Sequence, residues 1–206
     1  MRPTQIILAS TSPRRVNLLS QVHLKVEVYS PQVVEIQKPR EKPIKMVLRL
    51  AQEKAESVFA KISEKKNPGC LILAADTVVV APGGKKILGK PSSPKEATSM
   101  LKLLSGKTHT VFTGYCILQL GKSQKLLTRV VQSQVKIRKL SSSQILQYVL
   151  SQEPMDKAGA YGAQGLGMAF IEKIEGSYTN VVGLPIAEVL TDLEKEFKIP
   201  FLSWLK

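Results

Sequence analysis

Of the three aspartates in this 206-residue chain, one stands where a carboxylate is costly. Asp76 falls inside Leu71-Ile72-Leu73-Ala74-Ala75-Asp76-Thr77-Val78-Val79-Val80, an apolar, β-branched run that reads as a buried strand. A carboxylate there must be paired, hydrogen-bonded or holding a metal. A neighbouring loop or arginine would satisfy it structurally, and position alone leaves both readings open. Ser10-Thr11-Ser12-Pro13-Arg14-Arg15 sets two adjacent arginines at a helix start, with Ser12 suited to the N-cap and Pro13 to the first helical position. Backbone N–H groups and the helix dipole favour an anion there, and guanidinium forks match phosphate oxygens. Lys90, between Gly89 and Pro91, occupies a rigid turn downstream of Asp76. Lys54 lies within a long helical pattern, where taken alone it reads as part of a solvated face. Glu35, in a polar stretch, and Asp76 are separated carboxylates that could share a hard divalent cation, which takes oxygen ligands and substrate phosphates. These are parts suited to a polyphosphate.

Other chemistries lack their signatures. Gly106-Lys107-Thr108 imitates the end of a P-loop, but the required earlier glycine position is Leu101 and the triplet closes a helix. The glycines at 159, 162, 165 and 167 do not space as a dinucleotide fingerprint. No His-Glu-x-x-His or Gly-x-Ser-x-Gly occurs. His23 and His109 are isolated and read as surface or satisfied histidines. Cys70 and Cys116 sit in apolar runs and read as small buried hydrophobes.

The elements that must position these residues follow from periodicity and punctuation. Residues 5–9 read as a strand, 13–21 as a short helix, 25–29 as a second strand and 30–42 as a loop. Val47, Leu48, Ala51, Ala55, Val58, Phe59 and Ile62 recur at helical spacing over 44–62. Lys66-Asn67-Pro68-Gly69 breaks that helix. The strand at 71–80 follows, with a turn at 81–84 and a hairpin partner at 85–88. Ser93-Pro94-Lys95-Glu96 reads as a capping box opening a helix that ends at Gly106. Strands at 108–120 and 125–136 join through 121–123. A short helix at 142–151, a glycine-rich loop at 155–167, a strand at 169–174 and a last helix at 185–197 complete the chain. The mix is α/β, and the hairpins argue against a purely parallel sheet. No repeat or linker divides it, so residues 1–206 read as one domain.

Hydrophobic residues at 43% and charged residues at 22% are ordinary globular values. No run of about 18 apolar residues suggests a membrane span. The N-terminus does not read as a signal peptide, and the cysteine usage fits a reducing cytoplasm. The net charge of +14 favours acidic partners. A nucleic-acid-binding module is one reading of it, but aromatics are only 5% and no stacking motif occurs, so nucleic acid is the weaker partner.

Leu8-Ala9-Ser10-Thr11-Ser12-Pro13-Arg14-Arg15 resembles the N-terminal signature of the Maf family of nucleoside triphosphate pyrophosphatases. Further blocks resemble that family in its order: 49–55, Ala75-Asp76-Thr77-Val78-Val79, Gly89-Lys90-Pro91, 104–109, 156–165 and 176–185. One position departs, since the family usually carries an acidic residue before Glu35 and this chain has Val34. The resemblance implies an elongated mixed sheet flanked by helices, in two lobes with a cleft, similar to inosine triphosphate pyrophosphatases. It implies cleavage between the α and β phosphates, giving a nucleoside monophosphate and pyrophosphate, with a divalent cation (Mg²⁺ or Mn²⁺). It implies housekeeping of the nucleotide pool, a link to cell-division arrest and a homodimer. Within it, Asp76 is the general base, Glu35 and Asp76 hold the metal, and Ser10, Arg15, Lys54 and Lys90 contact phosphate. Arg14, Thr77 and Gln164 resemble the dTTP/UTP subgroup and would set base choice. CTP, a modified pyrimidine nucleotide, or a non-catalytic regulatory role are the alternatives. A Gln amide can accept from uracil N3–H and donate to a ring carbonyl, but it can also flip, so discrimination needs it held.

Overall fold

A computed structural model of the chain describes residues 5–62, 69–121 and 125–205. Most of the break at 66–69 and of the turn at 121–123 therefore lies outside the described residues. Seven strands form one sheet in the order β2-β1-β3-β5-β6-β7, with β4 attached to β3. The strands are β1 (Ile6–Ala9), β2 (Glu27–Tyr29), β3 (Leu71–Val80), β4 (Ile87–Leu88), β5 (Thr108–Gln119), β6 (Lys125–Ile137) and β7 (Ile171–Glu175). The helices are α1 (Pro13–Gln21), α2 (Pro43–Ile62), α3 (Pro94–Leu104), α4 (Ser142–Leu150), α5 (Tyr178–Val182) and α6 (Ile186–Phe197). β1 pairs in parallel with β2 and β3, whereas β3–β4 and β6–β7 are antiparallel, so the sheet is mixed as expected. No helix among the described residues is long and apolar enough to cross a membrane.

The chain divides into two compact units. One comprises Met1–Asp76, Thr113–Val130 and Gly183–Lys206, the other Thr77–Phe112 and Val131–Val182. In the first, β1 is buried at every residue, as befits a parallel strand covered on both faces. Its core joins Ile7 and Ala9 of β1 and Ile72 and Ala74 of β3 to Ala51, Ala55, Val58 and Ile62 on the apolar stripe of α2. Cys70 and Cys116 belong to that core as buried thiols, and burial pushes the Cys116 thiol up to about 12. In the order β2-β1-β3, the chain leaves β1 for β2 on one side and then returns past β1 to β3 on the other, so the strand order reverses at β1. In open α/β sheets, ligands bind outside the carboxyl ends of the strands at such a switch point.

The second unit packs α3 and α4 on Val79, Val111, Val135 and Ile137 from its strands. β6 alternates only toward its end, where Ser133, Val135 and Ile137 turn inward opposite β7. Several details differ from the sequence reading. Ser93 accepts from the Glu96 N–H, but the Glu96 carboxylate takes the N–H and hydroxyl of Ser92, so only half a capping box forms. The complete box is Ser141 with Gln144. Ser12 precedes α1 in extended conformation without capping it through its side chain. The stretch at 155–167 is three short 3-10 turns, Glu153–Asp156, Ala158–Ala160 and Gly165–Phe170, and the last delays β7 to Ile171. α5 has no periodic apolar signal and went unanticipated.

Gly114 of β5 allows α2 to lie against the strand. A Cβ there would sit 2.5 Å from the carbonyl carbon and oxygen of Val47. Backbone cannot yield as a flexible side chain can, so Gly114→Ala should cost about 1–3 kcal/mol by overpacking. Calorimetry should show a melting temperature lower by roughly 2–12 °C.

Candidate functional site

Ser10 directly follows β1, and Asp76 lies two residues beyond Ala74, the β3 partner of Ala9. Both therefore stand at the carboxyl end of the parallel pair. α2 presents Lys54 to the same place. Its Nζ donates to Asp76 Oδ1 at 2.6 Å and lies 2.7 Å from Glu35 Oε1. Lys54 is 4% exposed and Asp76 5%, so the solvated-face reading of Lys54 is wrong. The signal was present: Lys54 stands three residues after Ala51 and four before Val58, on the apolar stripe. Burying one charge demands a partner close by, and here two carboxylates face one ammonium.

Arg15 joins this cluster from α1. Its Nη1 donates to Ser10 Oγ at 3.2 Å and its Nε to the Gly183 carbonyl at 2.8 Å. Ser10 Oγ also accepts the Ser12 N–H, so this serine shapes the turn that the sequence assigned to Ser12. Burial draws the Arg15 guanidinium below its ordinary value, while Asp76 and Glu35 pull it back up and Arg14 adds to the lowering. Arg14 is half-buried beside it. Ser10, Arg15, Glu35, Lys54 and Asp76 are thus gathered in one unit from four segments, Ser10 and Arg15 sharing the first.

Sequence reasoning missed what holds Glu35. Arg49 clasps Glu41 through two bonds, Nε to Oε1 at 2.6 Å and Nη2 to Oε2 at 2.7 Å. Arg49 Nη2 also donates to the carbonyl of Ile36, the residue after Glu35. The Arg49 hydrogen bonds hold the Glu41 carboxyl down to about 2, against the opposing effect of burial. An Arg eight residues after a Glu across a helix start is a weak signal, since the loop between them has no fixed geometry. Val34 is 74% exposed, so no packing demands valine at that departing position.

Thr77, Lys90 and Gln164 belong to the second unit. Thr77 is half-buried on β3, directly after Asp76. Lys90 is exposed in the turn after β4, and the carbonyl of Gly89 before it accepts the Gly159 N–H at 3.0 Å. Gln164 is half-buried, and among the described residues its amide makes no hydrogen bond. Tyr161, at the head of its segment, is buried with its hydroxyl 2.8 Å from His109 Nε2. His109 is not a surface histidine: it is 2% exposed, and among the described residues its Nδ1 has no hydrogen-bond partner. Burial lowers its pKa to about 4, so the imidazole is neutral.

The profile of Maf-like proteins matches residues 5–196. A protein of Caldicellulosiruptor saccharolyticus called dTTP/UTP pyrophosphatase is 44% identical over 191 residues, 93% of this chain and 94% of its own. One of the same name from Syntrophus aciditrophicus is 44% identical over 201 residues, 98% of this chain and 94% of its own. A nucleoside-triphosphatase (dITP/XTP pyrophosphatase) from Mycobacterium abscessus overlays 98% of this chain and 100% of its own, with a TM-score of 0.41 and 14% identity.

The buried neutral His109 makes stability depend on pH. Its folded value near 4 lies below the unfolded 6.5, so acid protonates the unfolded chain first and stability falls as pH drops from about 6.5 toward 4. Between pH 7 and pH 5 the loss should be about 2 kcal/mol. Urea titrations at the two pH values should show it, and His109→Phe should remove that part of the pH dependence.

Proposed function

The chain belongs to the Maf family, and from that premise we propose that it hydrolyses nucleoside triphosphates, dTTP and UTP foremost, between the α and β phosphates. The products are the nucleoside monophosphate and pyrophosphate. The observation that carries this reading is the convergence of Asp76 and Glu35 on Lys54 at the carboxyl ends of β1 and β3, with Arg15 and Ser10 alongside.

Each group has a chemical part. Lys54 engages Asp76 through Oδ1, so Oδ2 can accept a proton from the water that attacks the α-phosphorus. An ammonium has three donors. Two serve carboxylates, and the third is available to a phosphate oxygen. Arg15 and Lys90 would neutralise charge that grows on the phosphates as the bond breaks, and Ser10 would orient Arg15. Arg14, Thr77 and Gln164 would choose the base.

Glu35 and Asp76 are the oxygen donors this site would offer a divalent cation. Two carboxylate oxygens already share one cationic nitrogen, and no group of three His, Cys, Asp or Glu suited to a metal occurs among the described residues. Two carboxylates, with phosphate and water completing the shell, is how Mg²⁺ is commonly bound. Glu35 and Asp76 would hold Mg²⁺ or Mn²⁺, which would supply charge neutralisation on the triphosphate. The same reading makes the enzyme a cytoplasmic homodimer that clears the nucleotide pool and bears on cell division. This part rests on the family resemblance.

The test is a panel of dTTP, UTP, CTP, 7-methyl-GTP, ITP and the common nucleotides with Mg²⁺ or Mn²⁺, scored for pyrophosphate against orthophosphate. Pyrophosphate from dTTP and UTP is expected. Pyrophosphate mainly from CTP would keep the chemistry and overturn the base assignment, and no release from any nucleotide would overturn the reading. Asp76→Asn should lower kcat by roughly 10²–10⁴. The variant should stay folded by circular dichroism, because Lys54 keeps Glu35 as a partner. Glu35→Gln should instead raise the metal concentration needed for half-maximal rate, and chelation with EDTA should abolish activity in every form.

A further inference from the structure

The segment that carries Gln164 is tied down by a carboxylate outside every motif described above. Glu153 Oε1 accepts the Tyr148 hydroxyl at 2.8 Å and the Gly167 N–H at 3.0 Å, and Oε2 accepts the Leu166 N–H at 2.8 Å. The Tyr148 oxygen in turn accepts the Gly162 N–H at 3.2 Å. On the other side, the Ala163 carbonyl accepts the Tyr178 hydroxyl at 3.0 Å. Backbone groups at 162, 163, 166 and 167 are therefore all held, and they bracket Gln164. Gly165 sits at φ 74°, and a Cβ there would lie 2.7 Å from Glu153 Oε2, so the loop closes tightly over this carboxylate. The Gln164 amide itself makes no hydrogen bond among the described residues.

A rigid backbone fixes where the Gln164 amide stands and leaves its acceptor and donors to a base edge, whose own groups then set which way the amide faces. We propose that Glu153, acting with Tyr148, is a positioning residue that sets where the Gln164 amide stands and thereby the discrimination among pyrimidine nucleotides. This rests on the reading of the chain as a dTTP/UTP-type pyrophosphatase. The chemistry of the clamp is specific to a carboxylate. Three donors fall on its two oxygens, whereas a glutamine at 153 would offer one oxygen and turn an N–H₂ toward a backbone N–H. Burial acts to raise the Glu153 pKa, but the Leu166, Gly167 and Tyr148 hydrogen bonds outweigh it and the net direction is down, so the anion is the form held.

The experiment compares kcat/KM for dTTP and CTP in the parent chain, Glu153→Gln and Tyr148→Phe, with melting temperatures and amide hydrogen exchange at Leu166 and Gly167. Loosening the loop should reduce the dTTP/CTP preference roughly tenfold, mainly through KM for dTTP, with faster exchange at those amides. Should Glu153→Gln fail to fold, Tyr148→Phe decides, because it removes one donor and leaves the carboxylate. An unchanged preference, or an equal loss on both nucleotides tracking a fall in melting temperature, overturns the positioning role while the pyrophosphatase reading stands. A parent chain that hydrolyses no nucleotide, or does not prefer dTTP to CTP, overturns the functional or base assignment and this inference with it.

Discussion

A single buried ammonium organises the first unit. Lys54 is almost wholly removed from water, and the desolvation of such a charge costs several kcal/mol unless counter-charges lie within hydrogen-bond reach. Asp76 and Glu35 meet that demand, and meeting it constrains three elements together. β3 must bring Asp76 up to the switch point, α2 must turn its apolar stripe inward at Lys54, and the loop after β2 must double back far enough to deliver Glu35. Gly114 belongs to the same constraint, since α2 lies close enough to β5 only where the strand lacks a side chain.

The two units solve a common problem in a common way. A loop that displays a working side chain needs its backbone polar groups satisfied by something else. For Glu35 the partner is Arg49, pinned by Glu41 and bonded to the Ile36 carbonyl. For Gln164 it is Glu153 with Tyr148 and Tyr178. In both, ionised groups hold main-chain atoms, where charge-assisted bonds are stronger than neutral ones. The Gln164 amide takes no part in this among the described residues, whereas Glu35 adds its own ion pair to Lys54.

Such partners are hard to find in a sequence because a side chain that bonds to backbone leaves no residue-type pattern at its target. Glu153 meets Leu166 and Gly167, and neither identity announces an acceptor nearby. The half-formed box at Ser93 shows the converse. The spacing was right, but Ser92 offered the Glu96 carboxylate a hydroxyl and an N–H together, and two donors outcompeted one. His109 takes the buried of the two forms its sequence context left open, because packing and not residue type decides which face of β5 shares its imidazole with Tyr161.

The sequence by itself determined the strands and principal helices, the mixed α/β class and the candidate residues Ser10, Arg14, Arg15, Glu35, Lys54, Asp76, Thr77, Lys90 and Gln164. It could do so because periodicity, turn residues and costly buried charges are local properties of the chain. Only the tertiary structure decided which of these residues meet. Lys54 could have faced water until the packing of α2 on β1 and β3 buried it, and Asp76 had no known partner until that packing supplied one. Contact between residues 22 or 168 positions apart depends on how strands order themselves in the sheet. That order is set by the burial of whole faces, which no single residue encodes.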